Sequence, residues 1–317
     1  MSEEAALRAI RVHEFGQPEV MLLEDLPDLR PVDDEILVRI HAAGVNPVET
    51  YIRSGAYGQL PALPYTPGSD AAGVDVRSGA RVYMDGSLSG TYAEFALCSP
   101  DQVHALPDGI TFAQGAALGV PYVTAFQALF QRANARPGET ALVHGASGGV
   151  GLALVQFALA AGLTVVGTAG SDAGLELVAA QGAVSVVDHR RPDHLAEAAS
   201  LTDGRGFDLI VELRADLNLG RDLVALAPRG RVVVVGSRGT VEVAPRDLMN
   251  VDGSILAMFL PNAAAAEIEE AHRAIAIGLR DGSLRPVVGR ELPLAEAPRA
   301  HRLLHERPAL GKLVLVV

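Results

Sequence analysis

The 317-residue chain is poor in residues that carry common site chemistries. Cys98 is its only cysteine, which excludes an intrachain disulfide and any cysteine-built zinc site. Lys312 is its only lysine, so arginine carries every other basic position. No apolar run approaches ~18 residues free of charge, and no membrane span is expected. Cations are also outnumbered: 26 Lys+Arg against 38 Asp+Glu leave a net charge of −12. That balance weighs against a nucleic-acid binder, which needs cations to displace counterions from phosphates. The first residues, Met-Ser-Glu-Glu-Ala-Ala, are acidic and unlike a secretory signal, so a cytoplasmic location is expected.

What is abundant points to an α/β protein. Hydrophobic residues make up 49%, glycines number 33, and the mean hydropathy is +0.24. At this length two domains with real cores can form. The organising stretch is Thr140 to Gln156, Thr-Ala-Leu-Val-His-Gly-Ala-Ser-Gly-Gly-Val-Gly-Leu-Ala-Leu-Val-Gln. It reads as a buried strand, a glycine turn and the start of an apolar helix. Ala146, Gly148 and Gly151 fill the spacing of a dinucleotide-binding G-x-G-x-x-G, with alanine first. A helix beginning near Gly149 would turn its N-terminal dipole and unpaired N–H groups toward a pyrophosphate.

Around this stretch the pattern changes along the chain. Residues 8–14 and 35–43 alternate with the two-residue period of half-buried strands, and shorter strand-like pieces follow at 81–84, 91–97 and 103–106. They suggest a small β-rich, barrel-like domain. Residues 121–132, opening on Pro121, read as a helix bridging two domains. Strands near 140–144, 163–168, 184–187, 208–212 and 231–235 then alternate with helices near 149–161, 172–181, 193–200 and 218–226. This alternation predicts a parallel, doubly wound sheet. Ser254–Leu260 is a late apolar strand before a helix at 263–280, and is expected to pair with a second subunit. The tail, 285–317, reads as strand, helix (296–306) and strand belonging to the first domain. The predicted division is 1–121 with 284–317, and 122–283.

Gly44-Val-Asn-Pro-Val-Glu-Thr-Tyr-Ile-Arg-Ser-Gly55 and Leu63-Pro-Tyr-Thr-Pro-Gly-Ser-Asp70 carry a family likeness. It recurs at Val143–Gly151, Gly167–Ser171, Asp188–Arg190, Val235–Thr240 and Pro245–Asp247. The chain resembles the zeta-crystallin or NADPH:quinone oxidoreductase branch of the medium-chain dehydrogenase/reductases. The resemblance implies a GroES-like catalytic domain, a Rossmann NADPH-binding domain and a reaction cleft between them. Two departures stand out. The segment between Gly73 and Val82 is shorter than the family's, and Arg214 and Asp216 replace small or amide residues.

Zinc-dependent members of the superfamily place a cysteine where this chain has Asn46, and a His-Glu pair where it has Ser69-Asp70. The nine histidines fall in no ligand spacing, so a zinc-free enzyme is expected. Without a metal to activate the acceptor, quinones and conjugated carbonyls suit better than alcohols. Tyr51 and Tyr57 are the candidate catalytic residues. They either pack as loop aromatics or reach the cleft, where a phenol could polarise an acceptor oxygen or donate its proton. The resemblance makes Tyr51 a cofactor contact.

The remaining cofactor candidates lie at the carboxyl ends of predicted strands. They are Ser147, Gly148, Gly149 and Val150, then Gly170 and Ser171, then His189 and Arg190, and finally Val235, Gly236, Ser237 and Arg238. Asn46 is added from the loop it shares with Tyr51 and Tyr57, and Asn218, Met258, Phe259 and Leu260 by the resemblance; Asn218 serves equally well as a helix cap. Thr124 is a candidate from the bridging helix. NADPH is preferred to NADH because no acid ends the strand ~20 residues beyond Gly148, where an NAD site carries one. Asp172 comes one step later, where capping a helix is its expected work. His189 and Arg190 are expected to supply positive charge for a 2′-phosphate.

The predicted activity is zinc-independent reduction of quinones by NADPH, with the resemblance also implying one-electron chemistry that yields semiquinones. An alternative is reduction of α,β-unsaturated carbonyls or enoyl thioesters. A second class is a non-enzymatic nucleotide- or RNA-binding protein. A homodimer or homotetramer is expected.

Overall fold

A computed structural model of the protein describes residues 6–306 and 310–317. Its contacts divide the chain into two units, Met1–Val120 with Pro286–Val317, and Pro121–Arg285. The chain opens on an antiparallel pair, β1 (Ala6–Val12) and β2 (Met21–Pro27). β3 (Ile36–Val45) follows and leads directly into α1 (Pro47–Ser54). Next come β4 (Asp70–Asp75), β5 (Arg81–Asp85), β6 (Phe95–Cys98) and β7 (Val103–Ala105). β2 and β4 were not foreseen. β2 is largely exposed, and β4 opens with Asp70, a charge that masks a strand whose first four residues are buried. The predicted strand at 91–97 reduces to β6, because Thr91 to Ala93 turn past the loop at Pro67 and Gly68.

α2 (Phe112–Gly115) and α3 (Gly119–Phe126) close this stretch, and α3 runs on as wider π-helical turns over Gln127–Arg132. The predicted bridging helix is therefore real but begins two residues earlier. The second unit then alternates as expected: β8 (Thr140–Val143), α4 (Gly149–Ala160), β9 (Thr164–Ala169), α5 (Asp172–Ala180), β10 (Ser185–Asp188), α6 (His194–Ser200) and β11 (Phe207–Glu212). α7 (Ala215–Asp222), β12 (Leu226–Val234), α8 (Pro245–Asn250), β13 (Ser254–Ala257) and α9 (Ala265–Asp281) complete it. The tail adds β14 (Val288–Pro293), α10 (Ala297–Glu306) and β15 (Lys312–Val316) to the first unit.

In the first unit seven strands form one sheet, ordered β14-β15-β3-β4-β5-β7, with β6 also on β3. β3 is its hub. It pairs antiparallel with β4, β6 and β15, and its register with β4 shifts between Ile40 and Ala42. Ile10, Val38, Ile40, Met84, Tyr92, Leu292 and Leu315 are buried together there. Each such large side chain withdrawn from water stabilises the fold by about 1.5–3 kcal/mol.

The second unit is a parallel six-stranded sheet ordered β10-β9-β8-β11-β12-β13. Successive strands run outward from β8 in one direction, and the chain then returns to place β11 on its other side. That reversal makes a crevice at the carboxyl ends of β8 and β11. α4 is buried along Gly151–Ala158 because apolar residues surround it on all sides. No helix among the described residues is long and apolar enough to cross a membrane.

Candidate functional site

In the second unit, β8 delivers the chain to a turn in which Gly145 has φ +61°. Its N–H donates to Thr168 Oγ1 (3.1 Å), and the Ala146 N–H donates to the Thr168 carbonyl (2.8 Å). The left-handed residue is therefore Gly145, one place before the alanine that opens the expected motif. Alanine is tolerated at 146 because the sharp turn has already been made. Gly148 caps α4 with extended backbone, and no side chain caps that end. A Cβ at Gly151 would lie 2.4 Å from the Gly145 carbonyl oxygen and 2.6 Å from Ala146 Cα. Only glycine lets the helix approach the turn this closely. The N–H groups of Gly149 and Val150 stand in the first turn of an uncapped helix at the sheet's switch point, an arrangement suited to an anion.

The neighbouring loops complete the edge. Ser171 caps α5, its Oγ accepting from the Gly174 N–H (3.2 Å). Asp172 is not the cap: it is the first helical residue, and its carboxylate takes Arg190 Nη2 at 2.9 Å. Arg190 also chelates Asp188, with Nε–Oδ1 2.8 Å and Nη2–Oδ2 2.7 Å, and this holds the Asp188 carboxyl down to about 2. His189 packs against Gly170, where an added Cβ would meet its Nε2 at 2.4 Å; its Nδ1 lies 3.2 Å from Thr168 Oγ1. Burial, then His144 and His194, lower its pKa, so the ring stays neutral at physiological pH. The expected pair of open cations is thus one neutral imidazole and one guanidinium held by two carboxylates.

At the end of β12 the Val235 and Gly236 N–H groups both donate to the Glu212 carbonyl (2.9 and 3.2 Å). A Cβ at Gly236 would sit 2.5 Å from the Leu213 carbonyl oxygen. Ser237 donates to the Gly239 carbonyl, and the Arg238 N–H donates to Asp216 Oδ1 (3.0 Å). Asp216 is in turn paired with Arg214 (3.1 Å), which lowers its pKa. Arg214 and Asp216, which replace the family's small or amide residues, therefore act together on the 235–239 loop.

Asn218 lies inside α7, whose N-cap position is Arg214; the predicted start at 218 was three residues late, so Asn218 caps nothing. Thr124 is buried in α3. The predicted strand 254–260 is shorter than expected. It stops at Ala257, Met258 retains one ladder bond to the Val234 carbonyl, and Leu260 opens a single 3-10 turn. Phe259 between them is half exposed.

Beneath this edge lies a group absent from the sequence reading. His144 Nε2 is 2.9 Å from Asp222 Oδ1 and 3.6 Å from Glu212 Oε2, and all three side chains are buried. Burial raises the Glu212 pKa to about 7, the nearby Asp222 adding to the shift against the opposing pull of His144. Glu212 Oε2 and Asp222 Oδ2 have no other partner among the described residues, and a proton shared between them satisfies both.

In the first unit, Asn46 sits at the N-cap of α1, and its backbone N–H donates to Glu49 Oε2 (2.8 Å). Its side chain is held at both ends: Nδ2 donates to Asp70 Oδ2 (2.9 Å) and Glu49 Oε1 (3.2 Å), and Oδ1 accepts from Lys312 Nζ. The amide predicted to meet the cofactor thus has both its N–H groups taken, with one lone pair left on its oxygen. Lys312 Nζ also donates to Asp70 Oδ2 (2.7 Å), and Tyr92 donates its hydroxyl proton to Glu49 Oε2 (2.5 Å). Burial raises the Glu49 pKa against these bonds.

Tyr51 and Tyr57, on and just after α1, are both partly exposed, and burial raises the pKa of Tyr57. Lys312, Glu49, Tyr92, His144, Glu212 and Asp222 escaped the sequence reading because they are far apart along the chain. The one local signal was a lone lysine opening the apolar run Lys-Leu-Val-Leu-Val.

Residues 32–108 match the family described as alcohol dehydrogenase GroES-like domain, and residues 149–276 the family described as zinc-binding dehydrogenase. Zinc does not fit the first unit's cluster. The place among Asn46, Glu49 and Asp70 that a cation would take is held by the Lys312 ammonium. The chain is 44% identical to the quinone oxidoreductase of Homo sapiens and 47% identical to that of Mus musculus, in each case over 98% of both chains. Its fold superposes with a TM-score of 0.88 on the quinone oxidoreductase from Thermus thermophilus, a structure also solved with NADPH. That protein is 32% identical, and the match covers 98% of this chain and 100% of the other. With full-length identity at this level, matching domain families and the same two-unit architecture, the chain belongs to the quinone oxidoreductase, or zeta-crystallin, branch of the medium-chain dehydrogenase/reductases.

Proposed function

We propose that the protein reduces quinones with NADPH, without zinc. The observation that carries this reading is the uncapped α4 N-terminus at the β8/β11 switch point, where Gly151 brings helix and turn into contact. NADPH would lie along that edge. The Gly149 and Val150 N–H groups would hold its pyrophosphate, Ser171 and Gly170 would meet its ribose phosphate, and the Val235–Arg238 loop would face its nicotinamide half. The bound cofactor supplies the reducing electrons. The protein binds and orients, and Tyr51 supplies a phenolic proton to the acceptor oxygen.

A 2′-phosphate would compete with Asp172 for Arg190, so NADPH preference comes from exchanging one partner of Arg190 for another. Exposed Ile255 on edge strand β13, with Met249 and Phe259 nearby in sequence, supports a homodimer closed along that edge. A cytoplasmic location completes the reading.

The test is NADPH oxidation with 1,2-quinones, 1,4-quinones, enones and enoyl thioesters. Turnover confined to quinones is the expected result. Faster turnover of enones or thioesters would transfer the assignment to the other acceptor class. Light scattering of a dilute sample checks the dimer.

A further inference from the structure

Among the described residues the strongest unassigned feature is the buried cluster around Lys312. It gathers Asn46 from the head of α1, Glu49 from its first turn, Asp70 from β4 and Lys312 from β15. None of the four is more than 4% exposed. Asp70 is the junction. Its Oδ2 accepts from Lys312 Nζ and Asn46 Nδ2, its Oδ1 accepts from the Val120 N–H (2.7 Å), and its carbonyl accepts from Thr91 Oγ1 (3.2 Å). Asn46 is held from three sides, by an ammonium on its oxygen and carboxylates on its nitrogen. Glu49 receives the Asn46 N–H, the Ser69 N–H (3.1 Å) and the Tyr92 hydroxyl.

The charges are uneven. Two carboxylates converge here, and the one ammonium is bonded to Asp70 and to the Asn46 amide, not to Glu49; Arg53, buried on the same helix, turns away to the Gly16 carbonyl. Lys312 therefore does more than neutralise Asp70. By fixing the orientation of the Asn46 amide it fixes the N-terminus of α1, and with it the rotation and height of Tyr51 one turn later.

We propose that Lys312 is a positioning residue for quinone reduction: its ammonium, seated among Asn46, Glu49 and Asp70 where a bound cation would otherwise sit, sets the placement of Tyr51. This rests on the reading of Tyr51 as an active-site group.

Removing Lys312 alone strands a buried carboxylate, so the test uses the charge-matched pair Lys312→Met with Asp70→Asn. A second pair, Lys312→Gln with Asp70→Asn, keeps a donor at 312. Each is made in the full-length chain with and without Tyr51→Phe. Circular dichroism and thermal melting report folding, NADPH fluorescence reports cofactor affinity, and steady-state kinetics separate kcat from KM.

The charge-matched pairs are expected to fold and to bind NADPH as the parent does, since the glycine edge lies in the other unit. Their kcat is expected to fall by about ten- to a hundredfold. Adding Tyr51→Phe to them should cost little more, whereas in the parent it should cost a similar factor; that non-additivity marks one shared route. Parent-like kcat in the pairs beside an impaired Tyr51→Phe would overturn the proposal alone. Fully additive losses would overturn it too. Parent kinetics in Tyr51→Phe itself would remove the reading of Tyr51 and the proposal with it. Failure of both pairs to fold would reduce Lys312 to a purely structural ion and overturn the positioning role.

Discussion

The two units each bury a pair of carboxylates, and they neutralise them differently. In the β-rich unit Glu49 and Asp70 are met by the Lys312 ammonium and by donors that do not titrate near neutrality. In the α/β unit Glu212 and Asp222 are met by the His144 imidazole, and the remaining deficit is covered by a proton. The first solution meets its carboxylates with a resident cation and several hydrogen-bond donors. The second changes charge close to neutrality, directly beneath the turn and the loop proposed to hold the cofactor. Rigid placement is served by a fixed cation. A site whose occupant brings several negative charges can instead rest on groups that adjust their protonation.

The largest effect that could break this comparison is Lys312→Met without compensation. Stranding a buried carboxylate costs about 3–5 kcal/mol, a large share of the ~5–15 kcal/mol that holds a typical domain. Urea unfolding should show that loss, and a midpoint within error of the parent would mean that the pair contributes nothing. NADPH comes next. At a hundred times its Kd it should stabilise the protein by about 2.7 kcal/mol. Amide exchange should slow in the 145–151, 170–172 and 235–238 segments; protection confined to the first unit would misplace the cofactor.

Asp222→Asn should cost less, on the order of 1–3 kcal/mol, because the cluster can shed charge by releasing a proton. A greater loss than for Lys312→Met would reverse the ranking of the two solutions. The pH dependence sharpens the contrast. Glu212 rises from its ordinary 4.5 to about 7, so its stabilising contribution is complete below pH 4.5 and is lost as pH rises toward and through 7. His144, also raised by its carboxylate partners, loses its contribution in the same direction.

His301 in the first unit goes the other way. Burial lowers it to about 3, so its contribution is present above pH 6.5 and declines as the pH falls toward 3. Melting curves across pH 4–8 should flatten on the alkaline side in Glu212→Gln, and an unchanged profile would rule out Glu212 as the titrating group. The smallest effect belongs to the exposed i,i+4 pair Arg273–Glu269, whose loss should cost no more than about 0.5 kcal/mol.

Much of the fold could be read in advance. Apolar runs closed by Gly or Asp announce β8 through β12, and Gly148 and Gly151 announce the turn, since a Cβ at Gly151 would fall 2.4 Å from the Gly145 carbonyl oxygen. Strand β2 escaped because its outward residues include Leu22 and Leu23, which blur the alternation. The start of α7 was misplaced because Asn218 has the chemistry of a cap, while the observed N-cap position is an arginine that makes no capping bond.

The candidate site divided in the same way. Positions defined by backbone geometry were foreseeable, whereas the states of His189 and Arg190 were not. Burial, His144 and His194 lower the His189 pKa, and Asp188 and Asp172 occupy the Arg190 guanidinium, partners brought together by β10 and α5. Asn46 taught the same lesson, since its three partners lie up to 266 residues away in sequence.

That Lys312 is the chain's only lysine, and 4% exposed, also sets how the protein meets amine-directed chemistry. Beyond the α-amino terminus, acylating reagents and reductive methylation need an accessible ε-amino group, as isopeptide-forming enzymes do, and the only one here is buried. A lysine-specific label can enter at one position only, and only when β15 has lifted away from β3. The rate of acylation at Lys312, followed by peptide mapping to separate it from the α-amino terminus, therefore measures how often this part of the first unit opens, with no engineered probe.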